Sequence, residues 1–247
     1  MIRVLFIWLI MALPLGAVET IVTDLSHDQV SITTDFQGSQ IFIFGAVKRD
    51  APVLDGAGAL DVIIEVAGPP SELTVRRKDK RFGIWVNTDT VQIDRAPSFY
   101  TIAATNPIRE ILTDRERSAR DLGLDYAVQG ARESDDFRQA VIRIKQAEGN
   151  YADAETPVKL TEDTLFTTEV ALPANLIEGD YTATIYLVRD MQIISASSQV
   201  IEVRKAGLER FLYNMAQDQA LLYGIMSILV ALIAGWVASE VFRLLRR

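Results

Sequence analysis

From Thr20 to about Thr105 apolar positions recur every second residue, with turn residues between the runs, which is the period of strands and not of helices. Val30, Ile32, Thr34 and Phe36 alternate with Ser31, Thr33 and Asp35, giving one buried and one wet face, and Gln37-Gly38 then turns the chain. Ile41, Phe42, Ile43 and Phe44 are apolar at successive positions, which predicts a central strand covered on both faces. Further strands are expected over Leu60–Ala67, Glu72–Arg77, Phe82–Asn87, Val91–Asp94 and Phe99–Ala103, with Gly68-Pro69-Pro70 and Lys78-Asp79-Lys80 as turns.

The period changes at Asn106-Pro107, a cap followed by proline in a first turn, and Ile108, Ile111, Leu112, Ala119 and Leu122 then fall at helical spacing. Glu116 and Arg120 add an i,i+4 pair. A second amphipathic helix is predicted from Ser134 as N-cap, through Phe137, Ala140, Val141 and Ile144, to Gly149. Strands return at Val158–Leu160, Leu165–Leu172, Tyr181–Val188 and Gln192–Val203. Gly179-Asp180-Tyr181 enters the third of these in the manner of a tyrosine corner. The fold class read from this order is mainly β: an immunoglobulin-like β-sandwich over 18–206, interrupted by a helical insertion at about 106–149. Two small sandwiches bracketing a helical linker are the alternative.

The two ends are apolar in different ways. Residues 1–17 carry Arg3, the apolar run Val4–Leu13 and small residues at Gly16 and Ala17, the pattern of a secretory signal peptide cleaved after Ala17, with an uncleaved N-terminal anchor as the alternative. Ala220–Ser239 is uncharged throughout, and about 20 residues at ~1.5 Å each match a bilayer core of about 30 Å, so a transmembrane helix is expected over 220–241. Tyr223 and Trp236 suit the two interfaces, and Arg243, Arg246 and Arg247 make 242–247 a basic tail on the cytoplasmic side. Leu208, Phe211, Leu212 and Met215 predict a juxtamembrane amphipathic helix over 207–219. The expected protein is therefore a single-pass inner-membrane protein with its β domain in the periplasm.

Composition narrows the function. The chain has no cysteine and one histidine, His27, so thiolate metal sites, cysteine nucleophiles and a Ser-His-Asp triad find few or no components. Acids outnumber bases 33 to 25, which disfavours nucleic acid as a partner. The acidic runs Glu133, Asp135, Asp136 and Glu162, Asp163 lack the spacing of a calcium loop, and no metal or cofactor is expected.

Several segments together resemble one known group. Asp35-Phe36-Gln37-Gly38, Phe44-Gly45-Ala46, Gly83-Ile84-Trp85-Val86-Asn87, Pro97-Ser98-Phe99-Tyr100, Leu172-Pro173 with Gly179-Asp180-Tyr181, and Tyr223-Gly224 with Gly235-Trp236 are similar to an alphaproteobacterial transmembrane protein family of about this length. The resemblance covers nearly the whole chain after residue 17. It implies a membrane protein without assigned catalytic residues. It also implies, through neighbouring genes for sulfite-exporter-type permeases, an accessory role in transport.

Two patterns are candidate contact sites. Arg76, Arg77, Lys78, Lys80 and Arg81 crowd five cations into six positions, a candidate anion-binding or lipid-headgroup contact at a hairpin tip. A solvated tip whose charges discourage edge pairing is the alternative. Ser227, Ala231, Gly235 and Ser239 recur every four residues, a narrow small-residue face along which a second membrane helix can approach, whether another integral membrane protein or a second copy. The function expected is that of a non-enzymatic binding or scaffold subunit accessory to an integral membrane protein such as a transporter. A receptor-like module for a small anion or lipid headgroup is the alternative, and a hydrolase working with carboxylates alone is the least favoured.

Overall fold

The computed structural model describes residues 19–32, 36–52, 56–130, 135–205, 212 and 215–245. The expected signal peptide lies outside the described residues, as do Ser134, most of the juxtamembrane stretch and the last two arginines. Residues 215–218 are helical, as expected for the end of that stretch.

Two sheets face one another. The first contains β1 (Glu19–Leu25), β3 (Ser39–Arg49), β10 (Leu165–Leu172) and β9 (Lys159–Thr161), in the order β1-β3-β10-β9 and antiparallel throughout. The second runs β2 (Gln29–Ile32), β12 (Gln192–Lys205), β11 (Gly179–Arg189), β4 (Leu60–Ala67), β7 (Tyr100–Ala104) and β8 (Tyr151–Pro157). Its outermost pairs, β2 with β12 and β7 with β8, are parallel. Because side chains alternate across a strand, Ile41, Ile43, Val47, Phe166 and Val170 of the first sheet meet Val62, Ile64, Val66, Ala183, Ile185 and Leu187 of the second in one shared core. Only glycine fits at position 45, where a Cβ would lie 2.4 Å from Phe166 Cζ.

The shared core joins strands from both sides of the helical segment, so the arrangement is one two-sheet body and not two separate sandwiches. Helices and a hairpin stem cover the other face of the second sheet. There Ile63, Tyr100, Ile102, Tyr186 and Val188 pack against Ile108, Ile111, Leu112, Leu122, Leu124, Val141 and Ile142. Glu19 ties the two sheets together at one end: its carboxylate accepts from Arg49 Nε at 2.7 Å on β3 and from Arg189 Nη2 at 2.9 Å on β11.

Several expectations are corrected. The helix predicted from 106 to 122 is broken into α1 (Ile108–Ile111), α2 (Asp114–Ala119) and, beyond it, α3 (Leu124–Ala127). Leu112 is extended, and the Thr113 hydroxyl starts a new helix by accepting from Glu116 N at 3.2 Å. Asn106 caps nothing here; its amide donates to Asp61 Oδ1 at 2.8 Å. The second helix, α4 (Asp135–Ala147), stands where expected, but Ile142 and not Ile144 joins its buried face. Gly149 follows it with φ 75, as a helix-ending glycine does. Strand β3 is central, yet only Ile41 and Ile43 are covered, whereas Phe42 and Phe44 are exposed on the outer face of the first sheet. Beyond the sheets, α5 (Ala220–Leu245) is one uninterrupted helix whose stretch Ala220–Ser239 is apolar and long enough to cross a membrane.

Candidate functional site

The five clustered cations sit on a long two-stranded arm. Its strands are β5 (Pro70–Arg81) and β6 (Ile84–Pro97). Lys78-Asp79-Lys80 is therefore strand and not turn, and the runs Phe82–Asn87 and Val91–Asp94 merge into the single strand β6. The chain reverses at Phe82-Gly83, whose φ values of 51 and 88 are the pair of positive values that a type I′ hairpin turn requires.

Burial divides the arm into stem and tip. Leu73, Val75, Val91 and Ile93 pack against the second core cluster and fix the stem to the helical layer. The next residue on that side, Arg77, reaches Asp136 of α4 at 3.3 Å and Asp89 at 3.9 Å, and its guanidinium lies 4.8 Å from the Phe137 ring centre. Arg77 is thus tied to the helical layer, although its side chain stays half exposed. Beyond it the register shifts by one residue, and Lys78, Asp79, Lys80 and Arg81 are all exposed. Arg81 lies 3.9 Å from Asp79, while no ion pair engages Arg76, Lys78 or Lys80 among the described residues.

The tip also carries three large apolar side chains that the cation pattern did not reveal. Phe82 is fully exposed, Trp85 is 67% exposed and Ile84 64%. All three fall in the run Phe82–Asn87, where consecutive apolar residues are compatible with a strand but do not show that its faces lie outside the core.

A second apolar surface lies on the outer face of the first sheet. Val22 and Leu165 flank Ala46 in register across β1, β3 and β10, and Phe44 and Phe42 continue the row along β3. Val22, Phe42, Phe44 and Leu165 are all exposed, with Asp24 and Glu169 beside them in register with Phe44 and Phe42.

The acidic residues are organised differently from a catalytic pair. Glu65 lines a cleft of ≈ 310 Å³ between the second sheet, the hairpin stem and the helical layer, together with Arg95, Arg120, Asp121 and Asp180. Burial pushes the Glu65 carboxyl above its usual range, opposed by hydrogen bonds from Tyr100 and Tyr186; the Tyr186 hydroxyl donates at 3.2 Å. Burial likewise raises Tyr100, the adjoining Glu65 charge adding to it. This network can hold a proton, and it also joins β4, β7 and β11 to the helical layer. His27 is exposed on a loop, its Nδ1 3.1 Å from the Ser26 hydroxyl. Glu162-Asp163 form the turn between β9 and β10, with φ 51 and 48, and Asp135 and Asp136 face Arg138 and Arg77. No cluster of three or more His, Asp and Glu suited to a metal ion occurs among the described residues.

Along α5, Ser227, Ala231, Gly235 and Ser239 lie on one face of a continuous helix, all exposed, and a Cβ at Gly235 would meet no neighbouring atom. A search of the curated proteins finds no match. The family model described as "Putative transmembrane protein (Alph_Pro_TM)" matches residues 20–244, nearly the whole chain, and the protein belongs to that alphaproteobacterial family.

Proposed function

We propose that the protein is a single-pass inner-membrane subunit whose β body stands in the periplasm and serves, without catalysis, as a binding and scaffold module for a neighbouring integral membrane protein such as a sulfite-exporter-type permease. The observation that carries this reading is the exposed apolar row Val22, Phe42, Phe44 and Leu165 on the outer face of the first sheet. A contiguous apolar surface on a membrane-tethered body is the kind of patch that a protein partner covers. The small-residue face of α5 supports lateral association in the same sense, and the arginines at the end of α5 favour a cytoplasmic C-terminus. The immunoglobulin-like reading draws support from strand order: β1-β3-β10-β9 follows an A-B-E-D sheet, and β12-β11-β4 a G-F-C sheet. Tyr181 adds a corner contact, its hydroxyl donating to Ile177 O at 2.9 Å. A hydrolase centred on Glu65 is disfavoured, because that carboxyl is already engaged by two tyrosines.

The test is a photoreactive residue placed at Phe44 in the full-length protein in its native membrane. Cross-linking to an integral membrane protein, lost when Phe42 is changed to Ser, supports the reading. Cross-links to lipid alone, or none, overturn it.

A further inference from the structure

The tip of the arm combines features that one medium satisfies together. Past the Val75–Val91 pair and the Arg77 contacts, no core residue among the described residues packs on the ribbon, and Lys78–Arg81 with their partner strand run on for roughly 13 Å, exposed along Lys78–Arg81. At the apex Phe82 takes a left-handed backbone conformation that asparagine or glycine adopts with less strain, and it gives its ring no cover at all. Such a ring is costly to the free protein and gains only from a surface outside it.

The register then orders the chemistry by depth. Arg81 lies opposite Ile84, and Lys80 lies opposite Trp85, so each face of the ribbon carries a large apolar side chain beside a cation. Lys78 and Arg76 follow further up the shaft, and Asp79, 3.9 Å from Arg81, is the one acid between Arg76 and Arg81. A protein partner docking on a ribbon meets one of its faces. Here the apex and each face carry a large apolar side chain, with Arg81 and Lys80 level with Ile84 and Trp85 and further cations behind. Long cations can reach back to a charged surface while their neighbours enter, which suits end-on entry into a medium that is apolar inside and anionic at its surface. The whole chain carries a net charge of −8, so these cations would also orient the arm toward a negative surface that repels the rest. A bilayer is a surface of that kind, and Ala220–Ser239 of α5 is long and apolar enough to cross one.

We propose that the tip of the β5–β6 arm, through Phe82, Ile84 and Trp85 with Lys78, Lys80 and Arg81, inserts into the headgroup layer of an anionic bilayer, giving the protein a second membrane contact besides α5. The inference needs anchorage by α5 but no partner on the first sheet, so the two readings fail separately.

The absence of cysteine makes a single-site probe possible. Full-length Phe82→Cys, labelled with a polarity-sensitive dye, is reconstituted at low density into phosphatidylcholine vesicles with or without about 30% phosphatidylglycerol. The expected result is a blue shift with about threefold brighter emission only in the anionic vesicles, reversed by about 0.5 M salt and absent when Arg76, Lys78, Lys80 and Arg81 are all changed to Gln. The same dye at Lys159→Cys, on the opposite sheet, should remain in water. Water-like emission from position 82 in anionic vesicles overturns the proposal. So does a shift that ignores lipid charge and grows with protein density, which would identify a second copy as the occupant.

Discussion

Tyr100, on the second sheet, accepts the backbone N–H of Gly123 through its hydroxyl at 2.8 Å, inside the fold. Gly123 has φ 113 and precedes α3, so this bond positions the point where the helical layer turns back on the sheet. The ring itself lies edge-on to Tyr151, with centres 6.1 Å apart.

Tyr100→Phe keeps the ring and removes the acceptor, leaving a buried N–H without a partner. A loss of about 1–3 kcal/mol is expected, seen as a lower midpoint in thermal unfolding of the detergent-solubilised protein. Amide exchange should quicken over Leu122–Ala127 while the β10 amides keep their protection. Equal quickening in both would show that the bond does not act locally.

Glu19 should make stability fall in acid. Burial alone would raise its carboxyl, but hydrogen bonds from Arg49 and Arg189 outweigh that and hold it below the ordinary value of 4.5. A lowered folded-state value means that the contribution is complete above 4.5 and is lost as pH falls through the folded value. Glu19→Gln should cost about 3 kcal/mol near neutrality, since its side chain is only 5% exposed and two arginines lose their counter-charge, and it should flatten the acid limb. An unchanged acid limb in the variant would assign that limb to other carboxylates.

Glu65 has the opposite sign. Its carboxyl is raised by burial, so the folded chain holds that proton more tightly than the unfolded chain does. Stability is favoured at low pH and declines as pH rises from 4.5 through the folded value. Measured from pH 4 to 8, wild type should lose stability relative to Glu65→Gln and then level off. A difference that stays constant across that range would mean that the carboxyl titrates as if in water.

Most of the strand pattern was legible because alternation survives wherever one face is wet. Tyr181–Val188 and Leu165–Leu172 read correctly for that reason. Strand β8 was not legible: Tyr151-Ala152-Asp153-Ala154-Glu155-Thr156-Pro157 has acids and a proline where an apolar period would be, and parallel pairing with β7 supplies what propensity does not. At Phe42 and Phe44 consecutive apolar residues imitated a doubly covered strand, while the fold leaves one side bare. The cationic cluster was visible by count alone, but its turn was misplaced because Lys-Asp-Lys is polar in the manner of a loop and Phe82-Gly83 lacks the Asn-Gly signature. The broken helix after Pro107 was hidden because Thr113 sits within a helical spacing and its capping role appears only with the backbone in place.

Gly235→Ile tests the small-residue face of α5 apart from the β body. A bulky, branched side chain there should prevent close helix approach, lowering cross-link yield along the membrane helix severalfold while leaving insertion intact. Undiminished cross-linking would mean that this face meets lipid.

Strand β12 sits between β2 and β11 and is the last strand before the membrane helix. During synthesis β2 has no partner from residue 32 until residues 192–205 emerge, so one bare edge waits through most of the chain's manufacture, and β11 gains its second neighbour only at the same point. The body can therefore close only as the anchor itself is leaving the ribosome. Premature stops upstream of residue 192 should leave sticky, protease-sensitive fragments and no partly working domain.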